Sequence, residues 1–268
     1  MSATSSGSTW QRQNSDQNAR TSVQDLAGMF QVELGEQANG NGITFARRRI
    51  QTNRTLYRAG DIFDAIFVVR FGFLKAVAIN ESGIEHVLAF PMTGNLLGLD
   101  GLASGVHHSE MTALDESEVV VLPVAQLAAM CCRCPALEIL MFRLLGCELS
   151  ERNEMLLSIG TLTADARVAR FLLRLGMRHK ALGYSEQCFT LRMTREDIGK
   201  HLGLKLETVS RSLSSLQADR LLHVERREIR IVDRTAMTLL AHGGVKPARR
   251  SSGFEATGQQ RREIAITA

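Results

Sequence analysis

The stretch Thr194–Arg220, TREDIGKHLGLKLETVSRSLSSLQADR, restricts the fold more than any other part of the chain. Thr194, with Asp197 three positions on, is close to the capping pattern that starts a helix. Ile198 and Leu202 then recur four apart on one face, and Gly203 supplies the left-handed stop at which the chain turns. A second helix follows, with Leu206, Val209, Leu213 and Leu216 as its buried stripe. Its opposite face carries Glu207, Thr208, Ser210, Arg211 and Ser214, short or forked hydrogen-bonding groups near the N-terminal end. A helix that enters the major groove needs such a face. Arginine forks onto O6 and N7 of guanine, glutamate accepts from the cytosine amine, and serine serves either kind of edge. The reading is a helix-turn-helix with double-stranded DNA as its partner, set against the blander one of two amphipathic helices in an unrelated helical domain.

The flanking segments favour the first. Leu222–Glu225 and Glu228–Val232 alternate like strands around Arg226 and Arg227, a short hairpin placed as a wing. Phe189–Met193 reads as a third short strand, and Thr163–Ala181 as a helix leading in, stopped near Gly183. Helix, strand, helix-turn-helix and wing in this order make a winged helix.

A chain of 268 residues has room for a second domain with its own core. Its 44% hydrophobic and 22% charged residues are ordinary for a globular protein, and its net charge of +4 suits a polyanionic partner. No run approaches the roughly 18 apolar residues of a membrane helix. The N-terminus lacks the charged-then-apolar order of a signal peptide. Five cysteines, an odd number, do not form the framework of a secreted scaffold. The expectation is a cytoplasmic protein with no membrane partner.

From Ile43 to Pro123 the chain changes to short β segments broken by Gly and Asn, with strands around Thr44–Ile50, Thr55–Tyr57, Ala65–Phe71, Phe73–Asn80, His86–Phe90, Met111–Leu114 and Glu118–Leu122. That texture predicts a small antiparallel barrel or sandwich, which either fills its interior or encloses one small ligand. Pro135–Ile159 is different: a helix of roughly 25 residues, about 37 Å long. Ile139, Phe142, Leu145, Leu149, Met155 and Leu156 form its apolar seam. A small barrel covers only part of such a helix, and pairing with a second copy about a two-fold axis would bury the rest. The alternative is a core helix within one domain. The expected boundaries are a disordered N-terminal segment over 1–30 (with a short helix at Ser22–Phe30), the barrel over 31–134, the dimerisation helix over 135–160, the winged helix over 161–242 and a disordered basic tail over 243–268.

Barrel, long helix and winged helix in succession resemble the CRP/FNR family of bacterial transcription regulators, in its FNR/FixK-like branch. The resemblance runs from about residue 43 to 242, and MTREDIGKHLGLKLETVSRSLSSLQ at Met193–Gln217 is its most specific motif, with an E-x-x-S-R core from Glu207 to Arg211. LYRAGD at Leu56–Asp61 and GFLKAVAINESGIEHVLAFPMTGNLLGLDGLASG at Gly72–Gly105 support it. The fold implied is α+β: an N-terminal cyclic-nucleotide-binding-like β-barrel (a double-stranded β-helix), a long dimerisation helix and a C-terminal winged helix-turn-helix. The activity implied is that of a homodimeric activator of low-oxygen or nitrogen-oxide-related genes, not an enzyme. The resemblance assigns base contacts to Glu207, Ser210 and Arg211 on TTGAT-type half-sites. Phosphate contacts are expected from Thr194, Arg195, Lys205 and Thr208, and the dimer interface from Ile139, Phe142, Leu145, Leu149 and Leu156. RNA polymerase is the further partner implied, through loops such as Asn80–Gly83 and near Glu116–Glu118.

Two sensor chemistries of the family do not carry over. Its cyclic-nucleotide binders use a Glu and an Arg in the turn after the barrel's Gly, and Gly94–Thr112, GNLLGLDGLASGVHHSEMT, holds no arginine. Its iron–sulfur members need four ligands, normally cysteines, three of them N-terminal, whereas here no cysteine precedes Cys131. No cofactor or metal is therefore expected. Cys131, Cys132, Cys134 and Cys147, or Cys188 beside the winged helix, leave open a thiol- or metal-based redox sensor; the other reading is small buried hydrophobes. His107 and His108 read as solvated loop residues.

Overall fold

The computed structural model describes residues 20–30 and 42–244. The disorder expected at residues 1–19, most of the loop expected at Asn39–Gly42, and the basic tail beyond residue 244 lie outside the described residues. Residues 20–29, expected within the disordered segment, form strand β1 (Arg20–Ser22) and helix α1 (Val23–Met29). The helix lies within the short one expected at Ser22–Phe30, while the strand before it was not expected, since a few side chains suffice to order this segment. Ser22 and Asp25 close a capping box, and Val23 and Leu26 are buried.

Among the described residues, nine strands make the N-terminal domain. After β1 come β2 (Thr44–Ile50), β3 (Thr55–Tyr57), β4 (Ala65–Phe71), β5 (Leu74–Ile79), β6 (Glu85–Ala89), β7 (Leu96–Leu97), β8 (Glu110–Ala113) and β9 (Ser117–Pro123). They form two sheets, in the orders β1-β2-β9-β4-β7 and β3-β8-β5-β6. The turn spacing left a barrel or a sandwich open, and the strands form a pair of packed sheets, not a closed barrel. The continuous apolar runs of β4 and β9 follow from this arrangement, since both strands are buried on two faces. Phe67, Val69, Val119 and Val121 point between the sheets with Leu74, Leu97 and Met111. Their alternates Ile66, Val68, Val120 and Leu122 point outward, beneath α1 and the long helix.

Helix α2 (Val124–Arg133) leads to α3 (Pro135–Thr161), 27 residues long. The N-terminal half of α3 buries Leu137, Leu140, Met141 and Leu144 on the sheet. A separate stripe, Ile139, Phe142, Leu149 and Leu156, stays exposed, Phe142 by 67%. Leu145, expected on that stripe, is half-buried against the sheet-side core, and Met155 packs against the winged-helix core.

The C-terminal domain contains α4 (Ala164–Ala181), β10 (Cys188–Thr190), α5 (Arg195–Leu202), α6 (Leu206–Ala218), β11 (Leu222–Glu225), β12 (Glu228–Ile231) and α7 (Arg234–Ala241). Its sheet has the order β10-β12-β11. Leu172, Ile198, Val209, Leu216 and Met237 share one core with Val87 and Phe90 of the first domain. The domains are therefore packed together along α5 and β6. His201 bonds the Val87 carbonyl at 3.1 Å, Lys200 pairs with Glu85 at 3.5 Å, and Arg192 pairs with Asp115 at 3.3 Å.

Candidate nucleic-acid interface

The Thr194 hydroxyl accepts from the Asp197 amide at 3.0 Å, and the Asp197 carboxylate accepts from the Thr194 amide at 3.0 Å. This reciprocal cap satisfies donors that the first turn of α5 leaves open. At the other end Gly203, with φ +65°, ends the helix in the left-handed region. Gly199 answers a second constraint: a Cβ there would lie 2.6 Å from the Leu204 carbonyl. The turn between α5 and α6 can fold this tightly only over a glycine.

Helix α6 buries Val209, Ser212, Leu213 and Leu216. Leu206, expected in that stripe, is 44% exposed, because it opens the helix and the turn carries it off the core. The opposite face presents Glu207, Arg211 and Ser214 to solvent, with Ser210 and Thr208 half-buried among them. Glu207, Ser210, Arg211 and Ser214 recur at three- and four-residue spacing and so share one face. Arg195 reaches from α5 to the Ser210 hydroxyl at 3.4 Å, and Arg211 lies 3.5 Å from the Thr208 hydroxyl. The candidate base-contacting and phosphate-contacting residues thus form one continuous surface. Lys205, Thr194 and Arg195 stand exposed at its N-terminal edge.

The wing adds residues to which the sequence reading gave no role. Arg226 sits at the β11–β12 turn with φ +54°, a backbone region that side-chain-bearing residues seldom occupy. Arg226 and Arg227 line a cleft of about 220 Å³ together with Thr194 and Arg195. An Arg-Arg pair where hairpins usually place Asn or Gly was the sequence signal.

In the first domain, Asp100 accepts from the Ser109 hydroxyl at 2.7 Å and from the His108 and Ser109 amides at 2.9 Å each. His107 donates to it from Nδ1 at 3.2 Å. Burial alone would raise the Asp100 carboxyl, but these bonds hold it well below the usual carboxylate range. The donors of this loop are therefore occupied by an internal anion, and the loop's own segment, Gly94–Thr112, holds no arginine to receive another. His107 is not solvated. It is buried and stacked on Tyr57 with ring centroids 3.7 Å apart, and its carboxylate partner lies seven residues away in the chain, where local pattern does not show it. His108 is exposed, as expected. Glu118, near which a polymerase contact was expected, is buried between Arg49 and Arg70.

The cysteines do not gather. Cys132, Cys147 and Cys188 are exposed, Cys131 is half-buried and Cys134 is buried. Among the described residues no group of three or more His, Cys, Asp or Glu side chains is arranged to hold a metal. Burial, then Glu138 and the neighbouring thiols, push the Cys131 thiol up, away from the reactive thiolate. Nor does any helix of the described residues reach the length and apolarity needed to cross a membrane.

Comparison with known proteins agrees with this geometry. Residues 166–240 match the Crp-like helix-turn-helix domain, and residues 47–134 match the cyclic nucleotide-binding domain. The transcriptional regulatory protein btr of Bordetella pertussis is 39% identical over 78% of this chain and 88% of its own length. The fumarate and nitrate reduction regulatory protein of Escherichia coli is 34% identical over 82% of this chain and 88% of its own. The solved structure of FixK2 from Bradyrhizobium japonicum superposes with a TM-score of 0.65 at 26% identity, covering 74% of this chain and 98% of that one.

Proposed function

The chain belongs to the CRP/FNR family of DNA-binding transcription regulators, and from that premise we propose a homodimer that reads a near-palindromic site with TTGAT-type halves. The observation that carries this reading is the exposed face of α6, where Glu207, Ser210 and Arg211 stand together on a capped, tightly turned helix-turn-helix. Arg211 takes the guanine, Glu207 the amine of the paired cytosine and Ser210 a thymine edge. Thr194, Arg195, Lys205 and Thr208 contact phosphates, joined by Arg226 and Arg227 of the wing.

The exposed stripe of α3 supports the dimer. Ile139, Phe142, Gly146, Leu149, Asn153, Leu156 and Gly160 alternate at three- and four-residue spacing, the seam of a two-helix coiled coil. A Cβ on Gly146 or Gly160 would meet nothing within 4 Å in the single chain, which leaves room for a second helix to approach closely. Similarity to the transcriptional activator protein Anr of Pseudomonas protegens and the anaerobic regulatory protein of Pasteurella multocida supports an activator of genes for low-oxygen respiration, working in the cytoplasm through contact with RNA polymerase.

Sedimentation with duplexes carrying one or two inverted half-sites tests the assembly. Two chains per two-site duplex, bound together at concentrations where the one-site duplex stays free, is the expected result. Independent binding of single chains to either duplex would overturn it.

A further inference from the structure

Among the described residues, three other than glycine have φ above zero: Asn53, Arg220 and Arg226. Asparagine tolerates that region, and Arg220 takes the left-handed position that ends a helix, one residue past the Asp219 cap of α6. Arg226 has neither reason. It is the first of the two turn residues between Glu225 and Glu228, at φ +54°, where glycine or asparagine would sit without strain. General attraction to phosphate would be served as well by an arginine at an unstrained position. Strain of this kind collects where a functional side chain must be aimed.

The hairpin is fixed against the helix-turn-helix. The Leu191 amide donates to the Arg227 carbonyl at 2.8 Å, and the Val224 amide donates to the side-chain oxygen of Gln217, near the end of α6, at 2.8 Å. The wing tip therefore moves with α6. Between them runs the cleft of about 220 Å³, with Thr194 and Arg195 on one wall and Arg226 and Arg227 on the other. With α6 in the major groove, one sugar–phosphate strand fits this cleft, and the groove beyond that strand is the minor groove. The tip also faces away from the proposed two-fold axis. Arg167 bonds the carbonyls of Leu202 at 3.2 Å and Ile159 at 2.6 Å, so the C-terminal end of α5 abuts the end of the seam helix α3. The wing stands at the opposite end of α5, beside Thr194, and so lies over the outer flank of a half-site.

We infer that Arg226 enters the minor groove on the outer flank of each half-site and selects A·T pairs there, an inference that rests on α6 being the major-groove helix. A run of A·T pairs narrows the minor groove and concentrates negative potential in it, which favours an inserted guanidinium. A G·C pair instead puts the guanine amine on the groove floor, where it meets the arginine donor against donor. Arg227, the second turn residue, stays with the phosphates of the strand in the cleft, and Arg226 reaches past them.

Competition titration of the full chain, against TTGAT palindromes that differ only in the base pairs just outside each half, tests this. A·T flanks should bind at least about fivefold tighter than G·C flanks. Inosine·cytosine flanks should behave as A·T, because inosine lacks the minor-groove amine and keeps O6 and N7 in the major groove. Arg226→Asn should abolish the flank preference and raise the melting temperature by about 2 °C, since asparagine relieves the strain. Arg227→Asn should weaken binding equally on all flanks and reduce the salt slope by about one. A parent chain indifferent to its flanks, inosine flanks that behave as G·C, or a preference that survives in Arg226→Asn would overturn the inference. Failure of the half-site reading itself looks different: TTGAT and scrambled duplexes would bind alike whatever their flanks, and the role of Arg226 would fall with it.

Discussion

Lys75 Nζ lies 2.8 Å from Asp197 Oδ1, and the other oxygen of that carboxylate accepts the Thr194 amide and hydroxyl that cap α5. One acid therefore starts the first helix of the DNA-binding motif and ties it to the sheet domain. Burial would raise the Asp197 carboxyl, but the bonds from Lys75 and Thr194 win and hold it below the usual range.

Lys75→Met should cost about 1–3 kcal/mol in urea unfolding, as expected for a charged hydrogen bond removed from a partly enclosed site. Glu196→Gln, which breaks the more exposed Lys200–Glu196 pair on the same helix, should cost less than about 0.5 kcal/mol. Equal losses would mean that the interdomain bond contributes no more than a surface pair.

Acid should loosen the same interface before it titrates the carboxylates. His201, packed against Phe90 and Phe171, has its pKa pushed by burial from the usual 6.5 down to about 4. The unfolded chain thus binds an extra proton between those values, so this contribution to stability is whole above pH 6.5 and declines as pH falls towards 4. His179, also lowered by burial, adds to the slope in the same direction. The melting temperature should drop by at least about 3 °C between roughly pH 7 and pH 4.5, and less in His201→Leu. A variant slope equal to that of the parent would remove His201 from the account.

Leu149→Glu should shift the chain from dimer to monomer in sedimentation equilibrium, because it puts like charges across the proposed seam. Its melting should stay cooperative, since Leu149 is 62% exposed in the single chain. A dimer that survives this change would place the interface elsewhere.

Arg211→Ala and Lys205→Ala should weaken DNA binding in different ways. The first should cost about 1–3 kcal/mol and relax preference at the guanine of each half-site. The second should lower affinity evenly across sequences and reduce the salt slope by about one. Base-selective loss in Lys205→Ala would contradict its phosphate role.

Much of this was legible in the sequence wherever local pattern decides structure. The cap at Thr194, the stop at Gly203, the wing strands and the length of α3 each rest on residues close together in the chain. What escaped depends on distant partners. His107 is buried because Tyr57 stacks on it and Asp100 bonds it, and Glu118 because Arg49 and Arg70 converge on it from other strands. Two-residue β7 carries too little sequence to announce itself. On α3, apolar residues fall on two faces, so periodicity could not say that Leu145 faces the sheet while Leu149 faces solvent.

The most direct test is a binding titration of the full chain, purified in air without metal or nucleotide, against a TTGAT-N4-ATCAA duplex and a scrambled duplex at the same salt. The account predicts selectivity of at least about a thousandfold for the palindrome, within the range of sequence-specific regulators. Equal affinity for the two duplexes would contradict the assignment of Glu207, Ser210 and Arg211 as base-reading residues.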